Sequence, residues 1–132
     1  MPHLTIEYSD NLDDRVEIAG LCRALDEQIA AFPFFERGGI RVRAFACRSY
    51  AVADMLPANA FVDMQFRIGA GRSEADKKAA GDALFATATR LLGHLLDEPH
   101  FALSLEIREI DPVLSWKKNS IHARLRQKVV SE

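Results

Sequence analysis

The chain has 132 residues, of which 48% are hydrophobic and 27% are charged, and its formal net charge at pH 7 is −2. This length and composition predict one compact domain with enough apolar material for a core. The slightly acidic balance does not favour nucleic acid or an anionic membrane as a partner. No apolar stretch is long enough to span a membrane, and the N-terminal segment lacks the pattern of a signal peptide, so we expect a cytoplasmic protein.

The first half of the chain predicts a strand, a helix and a second strand. Strict alternation of apolar and polar residues predicts a strand over 2–8. Apolar residues at spacings of three and four then predict a helix from about 12 to 32. Alternation returns over 40–48 and predicts a second strand, on which Arg41 and Arg43 face the same way.

The second half repeats this order of elements. A strand is predicted over 60–68, and Ser73 followed by Asp76 three residues later resembles a capping box that opens a helix. The helix extends to about residue 96, and alternation predicts a last strand over 101–110. The buried stripe of this helix is predicted to contain Ala80, Leu84, Thr87, Ala88, Leu91 and Leu95.

Two βαβ units therefore make up a single domain over 1–132, with internal repeats at about 2–48 and 60–110. Each unit takes a right-handed crossover and places its own two strands parallel. The fold class is α+β, with one four-stranded sheet that carries both helices on one face. A short helix is predicted in the segment beyond Pro112. Because the other face of the sheet is mixed in character and uncovered, we expect an oligomer.

The start of the chain, Met1-Pro2-His3, can carry chemistry. Small second residues usually allow the initiator methionine to be removed, which leaves the Pro2 nitrogen as a free secondary amine. A terminal amine whose pKa is lowered by burial or by a neighbouring cation can act as a general base. With Met1 in place the same nitrogen is an inert amide. The structural alternative is that a proline simply suits the first position of a strand, and the local sequence alone favours that alternative.

Other chemistry-bearing residues form no recognisable site. The two cysteines and four histidines show no metal-ligand spacing, so no metal site is predicted. The Gly69 to Gly71 turn lacks the spacing of a dinucleotide fingerprint. Trp116, Lys117 and Lys118 have two interpretations, as the border of a substrate site or as a packing contact.

Five short segments carry a resemblance to a known family when they are taken together: Pro2-His3, Ser9-Asp10-Asn11, Gly39-Ile40-Arg41, Ile68 to Ser73 and Asn119 to His122. In this combination and order, over nearly the whole chain, they resemble the 5-carboxymethyl-2-hydroxymuconate isomerase family of the tautomerase superfamily. The resemblance implies a homotrimer of duplicated βαβ subunits with active sites near the subunit boundaries. It also implies a cofactor-independent isomerase that moves a proton between an enol oxygen and a carbon of an unsaturated keto acid.

The same resemblance implies which residues form the site. Pro2 would be the acid and base, and Arg41 and Arg72 match the functional arginines of the family. Guanidinium groups suit this role because they bind carboxylates through two hydrogen bonds and stabilise a developing dienolate. Arg43 faces the same way as Arg41 and is a supporting candidate. The structural alternative for Arg72 is an ion pair with a helix residue such as Asp76.

Two further functions are compatible with these residues. One keeps the fold and the terminal proline but changes the reaction to hydration, dehalogenation or decarboxylation of a related acid, because one fold hosts several chemistries. The other is a ferredoxin-like assembly module without catalysis. The expected partner of the enzyme is a small carboxylate substrate, and no nucleic acid or membrane partner is expected.

Overall fold

The structure is a computed structural model that describes residues 1–131, with side chains described as far as residue 127. Its four strands form one mixed sheet in the order β2-β1-β3-β4. In chain order the elements are β1 (His3–Ser9), α1 (Ile18–Ala30), β2 (Arg41–Cys47), β3 (Ala60–Gly69), α2 (Glu74–Leu96), β4 (Phe101–Ile110) and α3 (Ser120–Ser131).

The sheet has the predicted α+β arrangement. β1 lies parallel to β2 with His3 opposite Arg41, and β3 lies parallel to β4. The two parallel pairs are joined by antiparallel pairing of β1 with β3, in which His3 is opposite Arg67. β1 is therefore an inner strand, and its first residue is held from both sides.

Both long helices pack on one face of the sheet. Successive side chains of a strand point to opposite faces, so the apolar positions of β1 and β3 form one buried layer while His3, Thr5 and Glu7 lie on the other face. This layer joins the inner faces of α1 and α2 in a single core. The largest fully buried side chains of the core are Phe66, Leu4, Ile6, Leu12, Leu25, Ile29, Met64, Ile68, Leu84, Leu92, Leu95 and Val62. We call the opposite face, which neither of these helices covers, the open face.

The first helix begins later than its predicted start near residue 12. Residues 10–12 form a 3-10 turn instead, and the Val16 amide donates to the Leu12 carbonyl at 2.9 Å. The Tyr8 hydroxyl donates to Asp13 at 2.6 Å and holds this turn against the end of β1. Leu12 is fully buried although it lies in the 3-10 turn. Its spacing from the later apolar residues equals that found within a helix, which is why the predicted helix began too early. The helix therefore extends over Ile18–Ala30 only, and its buried residues are Leu21, Leu25 and Ile29.

The second long helix matches its prediction closely. The Asp76 amide donates to Ser73 Oγ at 3.1 Å, which is the predicted cap. The buried stripe contains Leu92 rather than Leu91, whose side chain is 36% exposed. Spacings of three and four fit both residues, and packing against the sheet selects Leu92. In residues 1–131 no helix is long and apolar enough to cross a membrane.

Candidate active site

The candidate site surrounds the first two residues, at the start of β1. Pro2 is buried, and its carbonyl accepts a 3.0 Å hydrogen bond from the Arg41 amide. Proline fits this position because a strand-opening residue loses no ladder bond by lacking an N–H. The backbone of Pro2 is therefore fixed by the adjacent strand, and Pro2 and Met1 both line a cleft.

Two side chains contact the Met1 sulfur. Arg41 Nη1 lies 3.0 Å from the Met1 sulfur and also donates to the Gly39 carbonyl at 3.2 Å. Asn119 Nδ2 approaches the same sulfur from the C-terminal segment at 3.7 Å. The guanidinium of Arg41 thus faces the volume that the Met1 side chain fills, and removal of Met1 would open this volume to a ligand.

The terminal amine, which is that of Met1, lies in a cationic environment. Its pKa is lowered from the ordinary value of 8.0, first by burial and then by the positive charges of Lys117, Arg72 and Arg41. A nearby positive charge lowers an amine pKa because it opposes protonation. The three cations come from three separate parts of the chain: the C-terminal segment, the turn after β3 and the start of β2. Two of them, Arg72 and Arg41, are the arginines that were predicted to be site residues.

Arg72 is held rigidly beside the site. Its Nη1 donates to the Gly69 carbonyl at 3.0 Å and its Nη2 to the Phe34 carbonyl at 2.8 Å. The guanidinium carbon lies 4.6 Å from the centre of the Phe35 ring, which is a cation-π geometry. These hydrogen bonds replace the predicted alternative of a pair with Asp76. The buried Nε–H has no hydrogen-bond partner within the described part of the chain.

The C-terminal segment covers one side of the site and is tied down by Asn119. Its side-chain oxygen accepts from the amides of Ile121 and His122 at 2.8 and 3.1 Å and so caps α3. Its amide nitrogen donates to the Gly38 carbonyl at 2.9 Å. Asn119 therefore joins the start of α3 to the turn that precedes β2. Asn119 to His122 is one of the five segments that carry the family resemblance, but no structural role was predicted for it.

Glu36 forms a second tie between the same two segments, which sequence reasoning missed. Arg126 donates to both carboxylate oxygens at 2.5 Å, and His122 Nδ1 lies 3.2 Å from Oε2. Hydrogen bonds from Arg126 hold the pKa of Glu36 below its ordinary value. The two partners are 90 positions apart, so no local pattern could pair them. The one available signal was the pair Gly38-Gly39, whose bare backbone lets His122 approach closely.

His3 and Arg43 lie on the open face, as predicted for Arg43. Arg43 Nη1 is 3.3 Å from His3 Nδ1. Burial and the charges of Arg67, Arg41 and Arg43 lower the pKa of His3 to about 4, so its imidazole is neutral at neutral pH. Nδ1 then accepts from Arg43, and Nε2 carries the remaining proton. Arg43 thus contacts His3, and it is not among the charges that lower the pKa of the Met1 amine.

Two clefts meet at Met1. One, of about 760 Å³, lies between the open face and the C-terminal segment, and the other, of about 450 Å³, lies between the start of β2 and α3. Met1 and Lys117 line both, while Pro2 and Arg72 line the second and Arg41 the first. Pro2, Arg41 and Arg72 are thus grouped around Met1. Among the described residues, no cluster of three or more His, Cys, Asp or Glu could hold a metal ion.

Comparison with known proteins identifies the class to which this fold and site belong. The model of the 5-carboxymethyl-2-hydroxymuconate isomerase family matches residues 2–125. A 5-carboxymethyl-2-hydroxymuconate Delta-isomerase of Escherichia coli is 36% identical over 123 residues, which cover 93% of this chain and 98% of the relative. The crystal structure of a 5-carboxymethyl-2-hydroxymuconate isomerase from Deinococcus radiodurans R1 is 46% identical with a TM-score of 0.89, covering 95% of this chain and 94% of that one.

A more distant likeness concerns the fold alone. A fused 4-OT symmetric trimer is 15% identical, with a TM-score of 0.57, and the match covers 88% of this chain and 93% of that one. The fold is therefore that of the tautomerase superfamily. Within it, the chain belongs to the 5-carboxymethyl-2-hydroxymuconate isomerase family, and it is an isomerase. The resemblance inferred from the five sequence segments is confirmed.

The close approach of His122 to Gly38 generates a test of the C-terminal segment. A Cβ at Gly38 would lie 2.7 Å from His122 Nδ1 and 3.0 Å from His122 Cα. We expect Gly38→Ala to weaken docking of α3 by about 1–3 kcal/mol, the usual cost of overpacking. Hydrogen exchange measured by mass spectrometry over residues 120–127 should then become faster.

Gly93→Ala is the matched control. Gly93 lies within α2, and no described atom lies within 4 Å of the position that an alanine methyl group would take there. Alanine is also the better helix former by about 1 kcal/mol. We expect this variant to leave exchange in α3 unchanged. Unaltered α3 exchange in Gly38→Ala would show that α3 is not held by the turn before β2.

Proposed function

We propose that the chain, once Met1 is removed, is a cofactor-independent keto-enol tautomerase that acts on a carboxylated, unsaturated 2-hydroxy acid such as 5-carboxymethyl-2-hydroxymuconate, a compound type of aromatic catabolism. The observation that carries the proposal is the grouping of Pro2, Arg41 and Arg72 around Met1. Burial and the charges of Lys117, Arg72 and Arg41 lower the pKa of the Met1 amine there, and the same surroundings would act on the Pro2 amine once Met1 is removed. Family membership supports the same reaction class. The enzyme would act in the cytoplasm, where the free thiols Cys22 and Cys47 stay reduced.

The reaction needs one group that both takes and returns a proton. In its neutral form the Pro2 amine accepts the proton of the 2-hydroxyl group, which leaves a conjugated dienolate. The resulting pyrrolidinium then donates that proton to a carbon of the chain, and the product is the keto isomer. Atoms and charges balance without an oxidant, a reductant or a cofactor. A Pro2 amine whose pKa is lowered toward neutrality would suit both steps, because it then accepts and returns the proton with similar ease.

The two arginines would stabilise the negative charge of substrate and dienolate. Arg41 faces the volume that Met1 occupies, so its guanidinium would meet a carboxylate placed there. Arg72 is braced by the Gly69 and Phe34 carbonyls, and its charge stays fixed while charge develops on the substrate. A charge that needs no reorientation during the reaction gives the larger electrostatic stabilisation.

Removal of the residue before Pro2 tests the proposal. The chain is prepared with a tag that a protease cleaves directly before Pro2, and ketonisation of 5-carboxymethyl-2-hydroxymuconate is followed before and after cleavage. We expect kcat/KM to rise by at least about 100-fold on cleavage, because general acid-base catalysis contributes roughly 10²–10⁴. Intact mass confirms the terminus.

Product analysis by NMR separates this reaction from its alternatives. The proposal expects the keto isomer alone, with one solvent deuterium on carbon when the reaction is run in D₂O. Loss of carbon dioxide or halide, or addition of water, would indicate decarboxylation, dehalogenation or hydration instead. Equal rates for the tagged and cleaved chains would remove the Pro2 amine from the mechanism.

We also propose that the protein is a homotrimer. The open face carries an apolar side chain, Phe45, that is 54% exposed on the edge strand β2. Such a face commonly packs against another subunit. The similar fold of a symmetric trimer supports three copies rather than another number.

Sedimentation equilibrium at micromolar concentration tests this assembly. We expect a mass three times the 14.7 kDa of one chain. Phe45→Asp should lower the mass, because it puts a charge into the proposed interface. Phe85→Asp on the helix side, where the side chain is 40% exposed, is the control and should keep the trimer. A 14.7 kDa species for the unaltered chain would contradict the proposal.

A further inference from the structure

The larger cleft beside Met1 has an unusual charge distribution. Among the described residues its lining includes His3, Arg41, Arg67, Lys117 and Lys118 and no Asp or Glu, although the chain as a whole is acidic. The basic residues come from both walls, since three lie on the open face and two on the C-terminal segment. A cleft lined in this way favours an anion over a neutral or cationic ligand.

Three of these residues occupy paired positions on adjacent strands of the sheet. His3 of β1 is opposite Arg41 of β2 on one side and opposite Arg67 of β3 on the other. Neighbouring strands are about 4.8 Å apart, so the backbones of the two arginines are separated by roughly 10 Å. His3 between them is neutral at neutral pH. The row therefore presents two separated positive charges with a neutral group in the middle.

Arg67 differs from the arginine beside it on the same face. Arg108 of β4 is opposite Arg67 in the sheet and pairs with Glu106 at 2.9 Å. Arg67 forms no ion pair with any of the residues that the structure describes. Within one subunit its guanidinium is therefore available to bind a carboxylate through two hydrogen bonds, while that of Arg108 is already occupied.

We infer that Arg67 is a specificity-determining residue that binds the substrate carboxylate farthest from the reacting enol, so that the site selects dicarboxylates over monocarboxylates. One carboxylate lies near Arg41 and the Pro2 nitrogen, and the chain of the substrate extends across His3 toward Arg67. The inference rests on the proposed function for the identity of the substrate. The charge arrangement of the cleft supports it independently of the reaction.

A binding experiment tests the role of Arg67 without turnover. Trp116 is the one tryptophan of the sequence and lines the same cleft, so its fluorescence reports ligand binding there. The cleaved protein is titrated with adipate and with hexanoate, which have equal length but two carboxylates and one. We expect adipate to bind at least tenfold more tightly. Arg67→Gln should remove most of this preference and leave hexanoate affinity unchanged.

Arg108→Gln is the matched control, because it removes the same charge from the neighbouring position on the same face. It should keep the preference for adipate. Circular dichroism and sedimentation of both variants check that fold and assembly are retained. An equal effect of the two substitutions, or an equal loss of both ligands in Arg67→Gln, would overturn the inference.

Kinetics separate this inference from the proposed function. With 5-carboxymethyl-2-hydroxymuconate, which has carboxylates besides the one next to the enol, Arg67→Gln should raise KM about tenfold and leave kcat nearly unchanged. With the monocarboxylate 2-hydroxypenta-2,4-dienoate, neither constant should change. If the unaltered enzyme turned over neither compound but adipate binding still depended on Arg67, the proposed function would fail and the subsite would stand.

Discussion

β1 is hydrogen-bonded to β2 on one edge and to β3 on the other, so the residue that precedes it has little freedom to move. That residue is Pro2, whose carbonyl is also bound by the Arg41 amide. A chain terminus is usually poorly ordered, and fixing it costs conformational entropy. Here the pairing of an inner strand supplies the order. The position of the Pro2 nitrogen is thus a consequence of the sheet topology.

The charges around this nitrogen depend on the same topology. The start of β2 carries Arg41, the turn that leaves β3 carries Arg72, and the C-terminal segment carries Lys117. Like charges repel, so each cation must be held in place by other contacts. Arg72 is held by two carbonyls and an aromatic ring. The C-terminal segment is held by Asn119, which binds Gly38, and by Arg126, which binds Glu36.

Much of the fold was predictable from alternation and spacing, while the arrangement of the C-terminal segment was not. The strands follow the alternation, and the Ser73 cap is where its motif indicates. The start of α1 was misplaced because Leu12 has helical spacing in a 3-10 turn. Arg41 and Arg72 were identified by resemblance and do lie beside the terminal amine, although their roles stay predictions. The ties from Asn119 and Glu36 join distant segments, and no periodic signal reports such contacts.

The central claim is that folding lowers the pKa of the Pro2 amine by burial and by neighbouring cations. The direct measurement is an NMR titration of the ¹⁵N-labelled amine in the cleaved protein, folded and in urea. The account predicts a lower pKa in the folded protein and a partial return toward the unfolded value in Lys117→Gln, because Lys117 is the strongest of the cations that lower the pKa of the Met1 amine, one residue before Pro2. A folded pKa equal to or above the unfolded one would contradict it.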